Sequence, residues 1–180
     1  MMLRPSEAFE MAKGLGIPVP PETDKAPACV KADVPIAHKS DVGAVFCTYD
    51  QEELERVKKN MEERFGKVIV QKMVKGDLEL LISSKEDEAF GRVLVIALGG
   101  LWASALKVSS VTACPFCKDS FLEVLDPVLL KVLKGRKRLD LECVFGVMEK
   151  LCNVEAKTFE INPLIVSEDG CWAVDVKVWL

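Results

Sequence analysis

The chain has 180 residues, 49% hydrophobic and 29% charged, with a formal net charge of −4. That length suits one domain or two small subdomains around a sizeable core, and the composition excludes a disordered or low-complexity chain. The acidic balance argues against a nucleic-acid groove, which needs a basic face. The lone basic run, Lys131, Lys134, Arg136, Lys137 and Arg138 around Gly135, therefore reads as solvated surface.

In chain order, residues 6–15 predict a short helix with Ser6 as N-cap and Gly14 and Gly16 near its end. The start, MMLRPSEAFEMAKGLG, has no apolar core before a cleavage site, so a cytoplasmic protein is expected. Its seven cysteines are then expected as reduced thiols. Pro18 to Pro21 is an extended connector, and Ala28–Asp33 and Gly43–Thr48 read as strands around a polar loop holding His38, Lys39, Ser40 and Asp41. An amphipathic helix begins at Asp50 and is stopped by Gly66. Val68–Met73 and Leu78–Ser83 read as strands joined as a hairpin at Lys75-Gly76-Asp77. The longest apolar stretch, Val93 to Leu106, is broken by Gly99 and Gly100 and falls short of the roughly 20 residues that cross a bilayer. It reads as a buried strand, Arg92–Leu98, running into a glycine turn. Residues 118–134 and 138–152 are helical patterns, with Val144, Met148 and Leu151 on one core face. Trp102 and Trp172 are expected in the core. The mixture predicts an α/β or α+β domain divided near residues 74–77, that is, an N-terminal unit 1–75 and a C-terminal unit 76–180.

The tail, FEINPLIVSEDGCWAVDVKV, carries the most chemistry. A turn centred on Glu168 and Asp169 pairs Asn162 with Asp175 and Glu160 with Lys177, so these four side chains share one face. Phe159, Ile161 and Ile165 with Trp172, Val174, Val176 and Val178 are expected on the core face, with a bulge near Pro163, which cannot donate to the ladder. Two carboxylates and an amide oxygen suit a hard cation shared with phosphate oxygens. An ordinary amphipathic hairpin with a polar outer face is the alternative.

Five segments in order, GIPVP at 16–20, CVKADVPIAHKSDVGAV at 29–45, VQKMVKGDLE at 70–79, DEAFGRVLVIALGG at 87–100 and EINPLIVSEDGCWAVDVKV at 160–178, resemble the ATP-grasp (beta) subunit of ADP-forming acyl-CoA synthetases. The resemblance implies an α+β ATP-grasp fold with ATP or ADP between two subdomains. It assigns Lys31 to the nucleotide phosphates, and Lys39, Ser40 and Gly43 to the loop lying over them. Val70, Gln71 and Met73 fall on the adenine strand, and Glu79 on the ribose hydroxyls. Glu160, Asn162 and Asp175 become the Mg²⁺ ligands. It makes His38 a candidate carrier of phosphate as phosphohistidine, a job that suits imidazole; a histidine that only hydrogen-bonds the loop is the other reading. A CoA-binding alpha-type subunit is implied as partner in a hetero-oligomer.

The pattern also breaks. Ala44 replaces a family glycine and Lys72 a glutamate, and the stretch between Pro21 and Cys29 is shortened. Ser104 stands where the family has a glutamate and Thr112 where it has an arginine. An arginine that neutralises a phosphoryl group in flight is worth on the order of 10³-fold in rate. The expectation is therefore a ligase subunit of weakened activity, or alternatively a degenerate module that binds nucleotide or scaffolds a related enzyme without turnover. A remote third reading is a redox or metal protein built on Cys114-Pro115-Phe116-Cys117, with Cys143 or Cys152 recruited for metal.

Overall fold

Two antiparallel sheets organise the chain, and the computed structural model describes residues 1–36, 42–100, 106–135 and 138–180 of it. The smaller sheet has the order β2-β1-β3, from β1 (Ala28–Ala32), β2 (Val45–Thr48) and β3 (Val68–Lys72). The larger has the order β6-β5-β4-β7-β8, from β4 (Leu78–Asp87), β5 (Gly91–Leu98), β6 (Ser109–Ala113), β7 (Thr158–Ser167) and β8 (Gly170–Ala173), and β9 (Val176–Trp179) also pairs with β7. The described helices are α1 (Pro5–Gly14), α2 (Gln51–Phe65), α3 (Lys118–Val124), α4 (Pro127–Leu133) and α5 (Leu141–Leu151), which makes the architecture α+β. No helix among the described residues is long and apolar enough to cross a membrane.

Alternation builds both cores. Leu80 and Ile82 in β4 and Leu94 and Ile96 in β5 are fully buried, as period-two patterning requires of a half-buried sheet. Val144, Met148 and Leu151 of α5 are buried against that sheet as the helical spacing predicts, joined by Phe159 and Ile161 of β7. The smaller core holds Ala28, Val30, Ala32 and Ala44 under Leu54 and Met61 of α2. Ala44 is thus a packed residue. The Asp50 side chain accepts from Glu53 N at 2.7 Å to cap α2, and Gly66 ends the helix at φ +81°, a left-handed exit that glycine makes without strain.

Several expectations are corrected. β3 and β4 are not a hairpin, because they lie in different sheets. Asp77 N donates to Val166 O at 2.8 Å and pulls the connector onto β7. Gly76 is required there, since a Cβ would meet Ile165 Cγ2 at 2.4 Å. The 118–134 helix is two helices, separated at Pro127, which opens α4 with Asp126 as its cap. Ser6 does not cap α1. Its amide and hydroxyl both donate to the Asp33 carboxylate at 2.8 Å, and Asp33, at the end of β1, is 1% exposed.

The cysteines are not all reduced thiols. Cys29–Cys47, Cys114–Cys152 and Cys143–Cys171 are bonded, and Cys117 is free and exposed. Cys29 and Cys47 are directly opposed in the β1–β2 ladder with Cα atoms 4.0 Å apart. Cys143 on α5 faces β8, and Cys152 just past α5 meets Cys114 just past β6. Folding creates these pairs from residues 18, 38 and 28 positions apart. The Cys114–Cys117 dithiol of the remote third reading is not formed, because Cys114 is bonded to Cys152.

Candidate functional site

The terminal strands adopt the register set by their turn. Glu160 pairs with Lys177, Ser167 with Gly170, and Asn162 N donates to Asp175 O at 3.0 Å. A bulge lies at Asn162–Pro163: Leu80 of β4 pairs with Leu164, yet Ile82 pairs with Ile161, so two residues of β7 oppose one of β4. The inward phase changes there. Phe159 and Ile161 are buried before the bulge, and Leu164 and Val166 after it. The partner segment changes phase too, burying Cys171 and Ala173 on one side and Val176 and Val178 on the other. Ile165, Trp172 and Val174, expected in the core, are therefore half-buried on the opposite face. Trp102 lies outside the described residues.

This double change puts consecutive residues of both strands, Asn162 and Pro163 against Val174 and Asp175, on the wall of one cleft. The cleft, of about 400 Å³, lies between the sheets, within the usual range for small-molecule sites. The smaller sheet contributes Lys31, Val45, Lys72 and the Cys29–Cys47 bridge, the connector Met73 and Val74, and the larger sheet Glu79, Asn162, Ile165, Asp175 and Lys177.

Lys31 is 8% exposed, and its ammonium donates to Gln71 Oε1 at 2.8 Å and to the carbonyl of Val174. It also lies 5.3 Å from the centre of the Phe9 ring. A lysine this buried needs such partners to stay charged. Gln71, 2% exposed, passes the arrangement on by donating to Pro20 O at 3.2 Å. Glu79 sits against Gly100, where a Cβ would come within 1.9 Å of Glu79 Oε2; φ there is +61°, so both space and backbone call for glycine.

Lys177 Nζ lies 3.2 Å from Glu160 Oε1 and 3.9 Å from Asp175 Oδ2. Asp175, Asn162 and Lys177 line the cleft, whereas Glu160 opens onto a neighbouring depression beside Glu86, Asp87 and Lys157. Among the described residues no group of three or more His, Cys, Asp or Glu side chains converges on a cation position. The amide of Asn162 and the carboxylate of Asp175 are hard oxygen donors on the wall, and that chemistry fits Mg²⁺ completed by phosphate oxygens.

The remaining expected residues are placed as follows. Val70 faces a separate depression beside Asp24 and Leu54, and its carbonyl accepts from Thr23 N at 3.1 Å. Met73 lines the cleft while its amide donates to Pro27 O at 3.0 Å. Residues 21–23 thus cover the outer edge of β3, where Glu22 bridges to Gln71. Gly43 is exposed at φ +65°, away from the cleft wall. Thr112 sits on β6, opposite Leu94. His38, Lys39, Ser40 and Ser104 lie outside the described residues. Sequence reasoning missed Lys177 as a cleft residue, although its pairing with Glu160 already put it on that face. It also missed Asp33 and the Cys29–Cys47 bridge, which no local pattern announces.

The family model for the ATP-grasp domain matches residues 1–180. The chain is 30% identical over 192 residues to acetate–CoA ligase [ADP-forming] I of Archaeoglobus fulgidus, covering 97% of this chain and 27% of that protein. It is 28% identical over 209 residues to the beta subunit of acetate–CoA ligase [ADP-forming] I of Pyrococcus furiosus, covering 97% of this chain and 90% of that one. Thus it spans close to a whole separate beta subunit, but little more than a quarter of the longer relatives. Among solved structures, PH1788 from Pyrococcus horikoshii superposes with a TM-score of 0.87 at 23% identity, covering 99% of this chain and 91% of that one. The dinucleotide-forming acetyl-coenzyme A synthetase 1 of Ca. Korarchaeum cryptofilum, bound to coenzyme A and Mg-AMPPCP, gives 0.82 at 24% identity, covering 99% and 92%. With the match running from end to end, the α+β architecture is that of an ATP-grasp fold, and the chain belongs to the ATP-grasp domain family, similar to the ADP-forming acetate–CoA ligases and their beta subunits.

Proposed function

We propose that the chain is the ATP- and Mg²⁺-binding beta-type part of an ADP-forming acid–CoA ligase. Such an enzyme interconverts acyl-CoA, ADP and phosphate with acid, CoA and ATP. The CoA-binding step falls to an alpha-type chain in a hetero-oligomer, and the compartment is the cytoplasm. The observation that carries this reading is the cleft that gathers Lys31 and Lys72 from one sheet with Glu79, Asn162 and Asp175 from the other. Nucleotide is held between units 1–75 and 76–180, with α1 returning to pack on the larger sheet.

In this reading Lys31 meets phosphate oxygens with a charge already oriented by Gln71 and Val174. Met73 and Val74 flank the base, and Glu79 accepts from the ribose hydroxyls. Asn162 and Asp175 hold Mg²⁺, which when bound supplies charge neutralisation on the phosphates. His38 takes the phosphoryl group on an imidazole nitrogen as ADP leaves, and returns it in the reverse direction.

A second reading, nucleotide binding with little or no turnover, is favoured by Thr112. That residue stands on β6 in place of the family arginine, and no arginine among the described residues lines the cleft.

Isothermal titration with ATP and Mg²⁺, beside a Glu160→Ala/Asp175→Ala double variant, tests nucleotide binding. Mg²⁺-dependent heat in the wild type that disappears in the variant supports it, and no heat at saturating ATP refutes it. ATP–ADP exchange and acid-labile phosphate on His38, measured with a CoA-binding partner chain, then separate the two readings.

A further inference from the structure

The ammonium of Lys177 divides the acidic groups of the hairpin. It lies 3.2 Å from Glu160 and 3.9 Å from Asp175, and its side chain is 16% exposed. Asp175 faces the cleft, Glu160 faces the neighbouring depression, and Lys177 stands at the cleft wall with contacts to both. Glu160 and Lys177 are directly opposed across the β7–β9 ladder, so the pair is anchored by backbone register as well as by charge. A divalent cation approaching Asp175 therefore meets a fixed positive charge already sharing that carboxylate. At such separations, on a part-buried cleft wall, repulsion between the ammonium and a dication is larger than in bulk water. A polyphosphate chain changes the balance, because its oxygens can accept from Lys177 while the cation takes over Asp175.

We infer that Lys177 is the resident counter-cation of the metal site and makes divalent-cation uptake conditional on nucleotide. The inference rests on the nucleotide reading above. The bare chain rejects free Mg²⁺, and the metal enters only with its phosphate ligand, which draws the ammonium off Asp175. Glu160 acts through Lys177, as a positioning residue that keeps the ammonium at the wall.

Water-proton relaxation enhancement with Mn²⁺ as the probe tests this on the 180-residue chain, without any activity readout. The wild type is expected to show little enhancement with Mn²⁺ alone and strong enhancement once ADP is added. Lys177→Met removes the charge at similar length and is expected to bind Mn²⁺ alone at least tenfold more tightly. Lys177→Arg keeps the charge and is expected to behave as the wild type. Superimposed Mn²⁺ curves for wild type and Lys177→Met, in chains that melt cooperatively and bind Mg–ATP, would overturn the inference while leaving the nucleotide site intact. Should Lys177→Met fail to fold, the wild type alone decides: equally tight Mn²⁺ uptake with and without ADP overturns it. A wild type that binds no Mg–ATP removes the nucleotide reading and this inference with it.

Discussion

Lys31 of β1 donates to the main-chain carbonyl of Val174, between β8 and β9, so one buried ammonium ties the smaller sheet to the larger across the cleft. The same ammonium holds Gln71, which makes Lys31 both a structural link and the charge positioned for phosphate. Lys31→Met removes the charge at similar volume and strands the two acceptors. Losing donors to buried acceptors costs about 1–3 kcal/mol, so denaturant melting should show a loss of that order. Affinity for Mg–ATP should fall at least about tenfold, equivalent to about 1.4 kcal/mol. Wild-type melting together with wild-type affinity would show that the link carries neither role.

Asp175 lines the cleft and Glu160 does not, so the two carboxylates should separate in calorimetry. Asp175→Asn is expected to abolish the Mg²⁺-dependent part of ATP binding, while Glu160→Gln weakens it only a few-fold. Equal losses in both variants would mean that Glu160 reaches the metal directly.

Asp33 receives the amide and hydroxyl of Ser6 and lies 3.6 Å from Lys67 Nζ, fixing the first turn of α1 to the end of β1. Asp33→Ala leaves those donors without their acceptor and should destabilise the chain by about 2 kcal/mol, in line with lost caps and part-buried charged hydrogen bonds. Chemical denaturation would measure it, and an unchanged midpoint would mean that α1 docks without this anchor.

Gly76 admits no side chain, since a Cβ would stand 2.4 Å from Ile165 Cγ2 and 2.6 Å from Val166 O. Gly76→Ala forces the connector off β7, with an expected cost of about 1–3 kcal/mol for overpacking against a sheet. Because the connector continues Met73 and Val74 of the cleft, nucleotide affinity should drop with stability. A variant as stable as the wild type would show that the connector relaxes freely.

Cys117 is the free, exposed thiol, and hydrogen bonds from the Ser120 side chain and amide hold its pKa below the ordinary thiol value. A lowered pKa leaves more thiolate at neutral pH, so alkylation should stay fast to lower pH than for a free cysteine. Ser120→Ala should move that profile upward. Alkylation of the denatured, unreduced chain should modify Cys117 alone, and all seven cysteines should react after reduction. Closing a loop the length of that between Cys29 and Cys47 stabilises by about 3 kcal/mol on chain-entropy grounds, so reduction should lower the melting temperature. Seven reactive thiols before reduction would refute the bridges.

Local chemistry carried a large share of this structure. The Glu168-Asp169 turn fixes the register of everything behind it, so Asn162–Asp175 and Glu160–Lys177 follow by counting. Proline's missing donor located the bulge at Asn162–Pro163. Asp50 and Gly66 bounded α2 because capping and left-handed exit are properties of single residues. Where the sequence misled, distant partners were responsible. Ile165 and Trp172 were expected in the core with their apolar neighbours, whereas a change of phase in both strands leaves them half-buried on the opposite face, Ile165 at the cleft wall. Glycine at Gly76 looked like a hairpin turn, but its role is close approach to β7, a strand some 80 positions later in the chain.

The sequence by itself determined most of the elements and the terminal register, because turn, cap and alternation are short-range properties of the backbone. Only the tertiary structure decided which charges meet: Lys31 with Val174, Lys177 between Glu160 and Asp175, Asp33 under Ser6, and cysteine with cysteine. Most of those contacts join residues far apart in the chain, and all of them depend on side-chain placement that local pattern does not set. Their energies depend on burial and distance, and both exist only after the two sheets have packed.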